Sequence, residues 1–287
     1  MGERVVRNDE AAGSIPARST SIRQGYGWRA CWSAEVESSE DILMYRFYSQ
    51  DADFSKTSVI ITDVHEIHHI KDVLRLKKGS MVQIFNAKSQ QADVVIDGIN
   101  EKVIEVRVQK IKHEEGFGAK IILACAPPKK GKFEFIIEKC TELGVDEIIP
   151  LKTKRTEVIF SEDKMKGKLG RFEAVAINAA KQSKRMKIPK ISPMTSLAEV
   201  LKALDPQGVH LFPSLHNHST QIAEVLQKAD KQKTVTIFIG PEGDFTPDEV
   251  TLAIKHGCIP VSLGDTVLKV ETAAIATVAL VKFLCRN

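Results

Sequence analysis

Apolar residues between Val59 and Val108 come in short runs rich in valine and isoleucine, separated by polar turns. This pattern predicts strands over Val59 to Thr62, Met81 to Phe85, Ala92 to Ile96 and Val103 to Val108. Between the first two, Ile67, Ile70, Val73 and Leu74 recur at helical spacing and predict a helix over His65 to Leu74. Lys77-Lys78-Gly79 reads as a turn. Short strands separated by turns predict a compact β-barrel over residues 44–113. The charged, glycine-containing stretch Lys112 to Gly118 reads as a linker. Beyond it the rhythm changes. Strands are predicted at Lys120 to Cys125, Glu147 to Leu151, Val209 to Phe212, Val235 to Ile239 and Val261 to Leu263. They alternate with helices at Phe133 to Leu143, Gly170 to Arg185, Leu197 to Leu204, Ile222 to Lys228, Pro247 to His256 and Thr272 to Leu284. In the first helix Phe135, Ile136, Cys140 and Leu143 form the expected inner face. Thr246-Pro247-Asp248-Glu249 has the form of a helix start with a capping box. Alternation of this kind predicts an α/β domain over residues 119–287, with a mostly parallel sheet covered on both faces. Residues 1–43 show no sustained apolar period and read as an extension lacking a core of its own.

At 287 residues the chain holds one large or two modest domains, and its 43% apolar and 27% charged residues are an ordinary globular balance. No apolar run is long enough for a membrane helix. The five cysteines, Cys31, Cys125, Cys140, Cys258 and Cys285, are odd in number and form no CxxC pair. They read as reduced, mostly buried thiols of a cytoplasmic protein. His65, His68 and His69 cluster without a nearby cysteine, so no metal site is expected. The net charge of +4 hides a concentration, because residues 119–190 carry 17 Lys and Arg against 9 Asp and Glu. Lys129-Lys130-Gly131-Lys132 and Lys181 to Lys187 are its densest parts. A basic face of that kind suits a polyanion such as RNA; a plain solvated surface is the competing reading.

Candidate chemistry lies in the last fifty residues. The apolar strand ending at Ile239 runs into Gly240-Pro241-Glu242-Gly243-Asp244-Phe245. A second strand ends in Ser262-Leu263-Gly264, and Leu268-Lys269-Val270-Glu271-Thr272-Ala273-Ala274 opens the final helix. Strands that end side by side in glycine turns build a crevice at the carboxyl edge of a parallel sheet. Two ordinary strand-to-helix turns would look the same. No GxxxxGK[ST] and no GxSxG is present, which excludes a P-loop nucleotidase and an α/β-hydrolase.

These blocks resemble the cofactor-binding core of the SPOUT methyltransferases, whose C-terminal segment forms a deep trefoil knot. Within that superfamily the chain is similar to the ribosomal small subunit RNA methyltransferase E family. The resemblance runs from about Met44 to Asn287. It includes His68-His69-Ile70 with Val73-Leu74-Arg75-Leu76-Lys77, Glu138 to Val145, Arg155, and Ala180 to Arg185. It implies a PUA-like RNA-binding barrel followed by a knotted methyltransferase domain. It implies S-adenosylmethionine as cofactor, N3 of a uridine in 16S ribosomal RNA or the 30S subunit as target, and a homodimer. Ribose 2′-O methylation and a non-catalytic assembly factor are the alternatives. Tyr45 to Tyr48 resembles the family's opening, and Arg7 to Thr20 resembles translated transfer RNA gene sequence, so Met44 is the expected initiator. Seven acids in residues 1–43 argue against a transit peptide.

The resemblance also distributes roles. The cofactor set is Phe212, Ile239, Gly240, Pro241, Glu242, Gly243, Ser262, Leu263, Gly264, Leu268 and Thr272, with backbone groups reading adenine and Ile239, Leu263 and Leu268 flanking it. Uracil N3 carries a proton and is a poor nucleophile until that proton leaves, so an acceptor or an imidate stabiliser is required. Glu271 and Glu242 are the candidate acceptors or loop organisers, and Glu271 could equally cap its helix. Lys269 and Arg185 are candidates for contact with a carbonyl oxygen or a phosphate. The RNA set is Arg75, Lys77, Lys129, Lys130, Lys132, Arg155, Gln182 and Arg185. Lys269 stands where the family usually has arginine and cannot form arginine's bidentate fork. Asp244 replaces a more usual glycine, and aspartate is among the few residues that tolerate positive φ.

Overall fold

The structure is a computed structural model that describes residues 44–113, 118–160, 162–214, 220–228 and 234–285, with backbone alone for 162–166. The chain divides into two units, Met1–Ile42 and Leu43–Asn287, and the described residues all belong to the second. The expectations for residues 1–43 and for the centre of the linker, 114–117, lie outside the described residues.

The valine- and isoleucine-rich runs form β1 (Arg46–Tyr48), β2 (Ser58–Ile61), β3 (Met81–Phe85), β4 (Gln90–Ile99) and β5 (Ile104–His113). They make a five-stranded sheet in the order β1-β3-β4-β5-β2, antiparallel except for the β1–β3 pair. β4 and β5 extend well past their apolar centres, because ladder pairing continues into polar residues that face solvent. Two register shifts, at Asp93/Val94 and Ile96/Gly98, locally increase the twist of that long pair. Ile61, Ile70, Val82, Ile84, Ala92, Val94, Ile96 and Ile104 are fully buried and fill the core of this sheet. α1 (Val64–His68) starts at Asp63, whose carboxylate accepts from Glu66 N at 2.9 Å, and runs on as a π-helical turn, His69–Val73.

The second sheet uses β6 (Ile121–Cys125), β7 (Glu147–Lys152), β8 (Lys190–Ile191), β9 (Thr195–Ser196), β10 (Val209–Pro213), β11 (Thr220–Gln221), β12 (Val235–Ile239) and β13 (Ile259–Ser262). Its order is β11-β13-β10-β12-β6-β7-β8, with β9 on β7, and every pairing is parallel. The late strand β12 lies between β10 and β6 and is buried throughout, as its unbroken apolar run requires. The helices are α2 (Phe133–Glu142), α3 (Glu162–Gln182), α4 (Leu197–Lys202), α5 (Ile222–Lys228), α6 (Pro247–Lys255) and α7 (Val270–Leu284). One core holds Leu123, Cys125, Ile136, Cys140, Phe172, Ile237, Val278 and Val281; the other holds Ala124, Leu151, Leu201, Phe212, Phe238 and Phe245. α7 packs on α2, β6 and β12. Among the described residues no helix is long and apolar enough to cross a membrane.

Three local expectations change. Phe135 is 46% exposed, and Phe133 and Ile137 take the inner face of α2 instead. α3 begins at Glu162, eight residues before Gly170, because its charged residues are good helix formers and Gly167 and Gly170 are tolerated inside it. β12 and β13 do not end side by side, since β10 separates them. The two sheets are joined where α3 ends. Arg46 Nη1 donates to Ala180 O at 2.8 Å, and Lys181 Nζ lies 2.6 Å from Glu66 Oε1 in a largely buried ion pair.

Candidate active site

Because every strand of the second sheet is parallel, their carboxyl ends share one edge. Ile239 pairs with Cys125 and Pro213 with Val261, so β6, β12, β10 and β13 end nearly level. Residues 126–132 and 240–246 therefore leave the sheet side by side, with Ala126 N donating to Ile239 O at 2.9 Å, and 263–269 leaves the same edge on the far side of β10.

The 240–246 turn is set by Asp244 and Phe245. Asp244 adopts φ +60°, the conformation that favours glycine, and its Oδ1 accepts from Phe245 N at 2.8 Å. Asp244 N donates to Pro241 O at 2.9 Å. Phe245 then turns inward onto Phe212, with centroids 4.2 Å apart. Gly240 is not in the positive-φ region; its constraint is space, because an ideal Cβ would lie 3.0 Å from the Phe245 ring. Beyond the turn, Thr246 caps α6 reciprocally with Glu249, whose other oxygen accepts from Lys154 N at 2.7 Å. Arg155 Nη1 donates to Gly243 O at 2.6 Å. The segment after β7 is thus tied along the glycine turn, bringing Arg155 to it.

The 263–269 segment is open. Gly264 has φ +117° with nothing near its missing Cβ, and Ser262 Oγ accepts from Gly264 N at 3.2 Å. Val267 is 76% exposed, Leu263 and Leu268 are half-buried, and Thr272 is exposed. Apolar side chains thus stand uncovered at the mouth of the crevice. Lys269 occupies the N-cap position of α7 with an exposed side chain that makes no capping bond.

The basic loop after β6 meets both acids. Glu242 Oε1 accepts from Lys129 N at 3.0 Å, and Lys132 Nζ is ion-paired with Glu271 in the first turn of α7. The hydrogen bond from Lys132 holds the Glu271 carboxyl below its ordinary range, helped by its own backbone N–H and by Lys269. Glu271 is therefore a clamped anion at the site, and Lys132 is engaged by protein. Lys129 Nζ reaches Glu157 Oε2 at 2.8 Å, and Lys130 points outward from a left-handed turn at φ +61°.

The structure gathers Gly240, Pro241, Glu242, Gly243, Ser262, Leu263, Gly264, Leu268, Lys269, Glu271, Thr272, Lys129, Lys130, Lys132 and Arg155 at one edge. The remaining candidates are buried at that edge or lie elsewhere. Ile239 and Phe212 are core residues at 3% and 1% exposure, so any contact they make with a ligand is through backbone. Arg185 belongs to the opposite edge of the sheet, where Nη1 donates to Thr141 O at 3.2 Å and Nη2 lies 3.7 Å from Asp146 Oδ1. Asp146 accepts there from Ile121 N at the start of β6. Gln182 is exposed near Arg185, at the end of α3. Arg75 and Lys77 are exposed on the first sheet's unit, Arg75 at φ +54°. Sequence reasoning missed Phe245, Glu157 and Lys154. An aromatic residue just after a glycine turn was the one available signal, and it pointed to Phe245.

Comparison with known proteins bears on the fold and the family. A family profile described as an RNA methyltransferase domain matches residues 116–282, and one described as an RNA methyltransferase PUA domain matches residues 61–109. The ribosomal RNA small subunit methyltransferase E of Mesomycoplasma hyopneumoniae is 32% identical over 81% of this chain and 96% of its own. A Legionella pneumophila protein described as a methyltransferase, solved with bound S-adenosylmethionine, superposes with a TM-score of 0.73. It is 27% identical, over 84% of this chain and 97% of its own. The ribosomal RNA small subunit methyltransferase E of Neisseria gonorrhoeae, 23% identical over 84% of this chain and 98% of its own, shares the fold at a TM-score of 0.75. The fold and the two matched domains define an RNA methyltransferase of the α/β-knot class with a PUA domain on its N-terminal side. Within that class, the chain belongs to the ribosomal RNA small subunit methyltransferase E family.

Proposed function

We propose that this protein transfers the methyl group of S-adenosylmethionine to N3 of a uridine in 16S ribosomal RNA. The observation that carries the reading is the meeting of two glycine turns, two acids and a basic loop at the carboxyl edge of β6, β12, β10 and β13. The site fits the cofactor. Gly240 presents no side chain, Gly264 is open, and Val267 and Leu268 offer uncovered apolar surface for a ring. Backbone groups of 240–243 and 262–268 would hold it. When bound, S-adenosylmethionine supplies an activated methyl on a sulfonium, so the protein's task is chiefly positioning.

Glu271, ion-paired with Lys132, is our candidate to take the N3 proton, and the bond from Lys129 N to Glu242 supports a loop-organising role for that acid. Lys269 beside Glu271 is suited to steady charge developing on the uracil oxygens. Lys129, Lys130 and Arg155 supply positive charge for phosphates near the site. Arg75 and Lys77 do so from the PUA part, assigned to 44–113, with the methyltransferase part at 119–287. Arg185 and Gln182 would meet RNA only outside this crevice. The protein works as a homodimer in the cytoplasm, on 16S RNA or the 30S subunit. Incubation with S-adenosylmethionine and 30S subunits or naked 16S RNA, followed by nucleoside mass spectrometry, tests the reading. N3-methyluridine is the expected product; a ribose-methylated product, or no methylation of either substrate, overturns it.

A further inference from the structure

Beside the basic loop lies a second concavity of about 170 Å³, built from Pro127, Pro128, Phe133, Val158, Phe160 and Phe172. Three aromatic rings line it edge to face: Phe133 and Phe172 have centroids 5.3 Å apart, and Phe160 and Phe172 6.0 Å. Phe133 and Phe172 are core residues, while Phe160 is half-buried and lines the pocket wall. Lys168 Nζ lies 4.9 Å from the Phe160 ring centre and 5.9 Å from that of Phe172. Lys130 stands at the mouth, as does Glu134, which is bonded to Arg171. Lys168 covers these rings in the free protein, and a planar π-system entering the pocket takes its place over Phe160 while the lysine moves to the phosphate. Lysines at the rim of an aromatic pocket are the arrangement that takes a base with its phosphate. An aliphatic partner would use the rings but leave the lysines without a counterpart.

The position makes this specific. The pocket's wall is the same 127–132 loop that carries Lys129 N to Glu242 and Lys132 to Glu271. We propose that this pocket holds one base of the RNA strand flanking the methylated nucleotide, stacked on Phe160, with Lys130 and Lys168 on its phosphates. The proposal rests on the RNA-methyltransferase reading above. It names a subsite where the RNA strand is gripped before the target base enters the crevice.

The test uses the full chain and single-stranded RNA carrying 2-aminopurine. Phe160→Leu keeps apolar volume and removes the π face. It should weaken RNA binding about tenfold, the usual scale for one stacked base. It should abolish 2-aminopurine quenching and leave both cofactor affinity and the salt dependence of RNA binding unchanged. Phe160→Tyr should restore quenching. Lys168→Gln, which leaves the ring core alone, should reduce the log–log salt slope by roughly 0.7. Unaltered RNA affinity and quenching in Phe160→Leu, with wild-type protein still methylating its RNA, would overturn the subsite and leave the function standing. If wild-type protein binds neither S-adenosylmethionine nor RNA, the functional reading fails first and the subsite fails with it.

Discussion

A Cβ added at Gly240 would sit 3.0 and 3.1 Å from two carbons of the Phe245 ring, which itself packs against Phe212 in the core. Phe245 is 1% exposed and has nowhere to retreat. Gly240→Val should therefore push the turn out of place, at roughly the 1–3 kcal/mol typical of overpacking. Cofactor affinity measured by calorimetry should be lost while the first sheet stays folded; unchanged affinity would remove this turn from the site. Glu271 makes a different kind of prediction. Lys132 depresses its pKa in the folded protein, so the pair contributes stability above the ordinary carboxylate range, and that contribution is lost as pH falls through the lowered value. In Lys132→Ala the carboxyl returns upward. The acidic limb of the kcat/KM profile should then move to higher pH, and Lys132→Arg should move it back. A limb that stays in place in Lys132→Ala would show that Glu271 is not the proton acceptor.

At the level of elements, the loop between β6 and α2 carries three lysines that share one stretch of chain but not one role. Lys129 is paired with Glu157, Lys132 with Glu271, and Lys130 is exposed. Removing all three charges should weaken RNA binding and lower the log–log salt slope by about 0.7 to 0.9 for each phosphate that is no longer neutralised. Glu242 is held by the backbone N–H of Lys129, which replacement of the three lysines by alanine leaves in place, so that part of the cofactor loop should persist. Cofactor titration in the triple variant separates the two effects, and an unaltered salt slope would place RNA elsewhere. At the other end of α2 and α3, Arg185 bridges Thr141 O and Asp146. Arg185→Ala should lower the melting temperature by a modest amount, a cost of about 0.5–1.5 kcal/mol for the lost hydrogen bond, because Thr141 O keeps Gly144 N and Asp146 keeps Ile121 N and Lys187 Nζ. It should leave cofactor affinity intact. A variant of wild-type stability that no longer methylates RNA would instead give Arg185 a direct role in the reaction.

On the scale of the whole molecule, the proposed homodimer rests on α7. Ala274, Thr277, Val278 and Val281 are buried against its own sheet and α2. Leu280 and Phe283 are 37% and 68% exposed, and Ala276 and Ala279 lie beside them on the same helix surface. Contiguous apolar surface of this kind marks an interface. Ala276→Glu or Phe283→Glu should give a monomer with little activity in sedimentation and methylation assays. A fully active wild-type monomer at micromolar concentration would overturn both the dimer and any shared site.

The alternation of short valine runs, and of apolar strands with amphipathic helices, was enough to determine the β-rich segment, the parallel α/β segment and the ends of β3, β12 and α5. Those features depend on which face of a short stretch meets water, and that is written within a few residues. The left-handed turn at Asp244 and the capping box at Thr246 were legible for the same reason, because their hydrogen bonds close within three residues. Only the tertiary structure could pair Lys132 with Glu271, send Arg185 to the opposite edge of the sheet, slide β10 between β12 and β13, and bury Phe133 in place of Phe135. These outcomes depend on the strand order of the second sheet and on the packing of α2 against α3 and α7. Partners in that arrangement lie far apart along the chain, and local periodicity carries no information about which distant charge will arrive opposite.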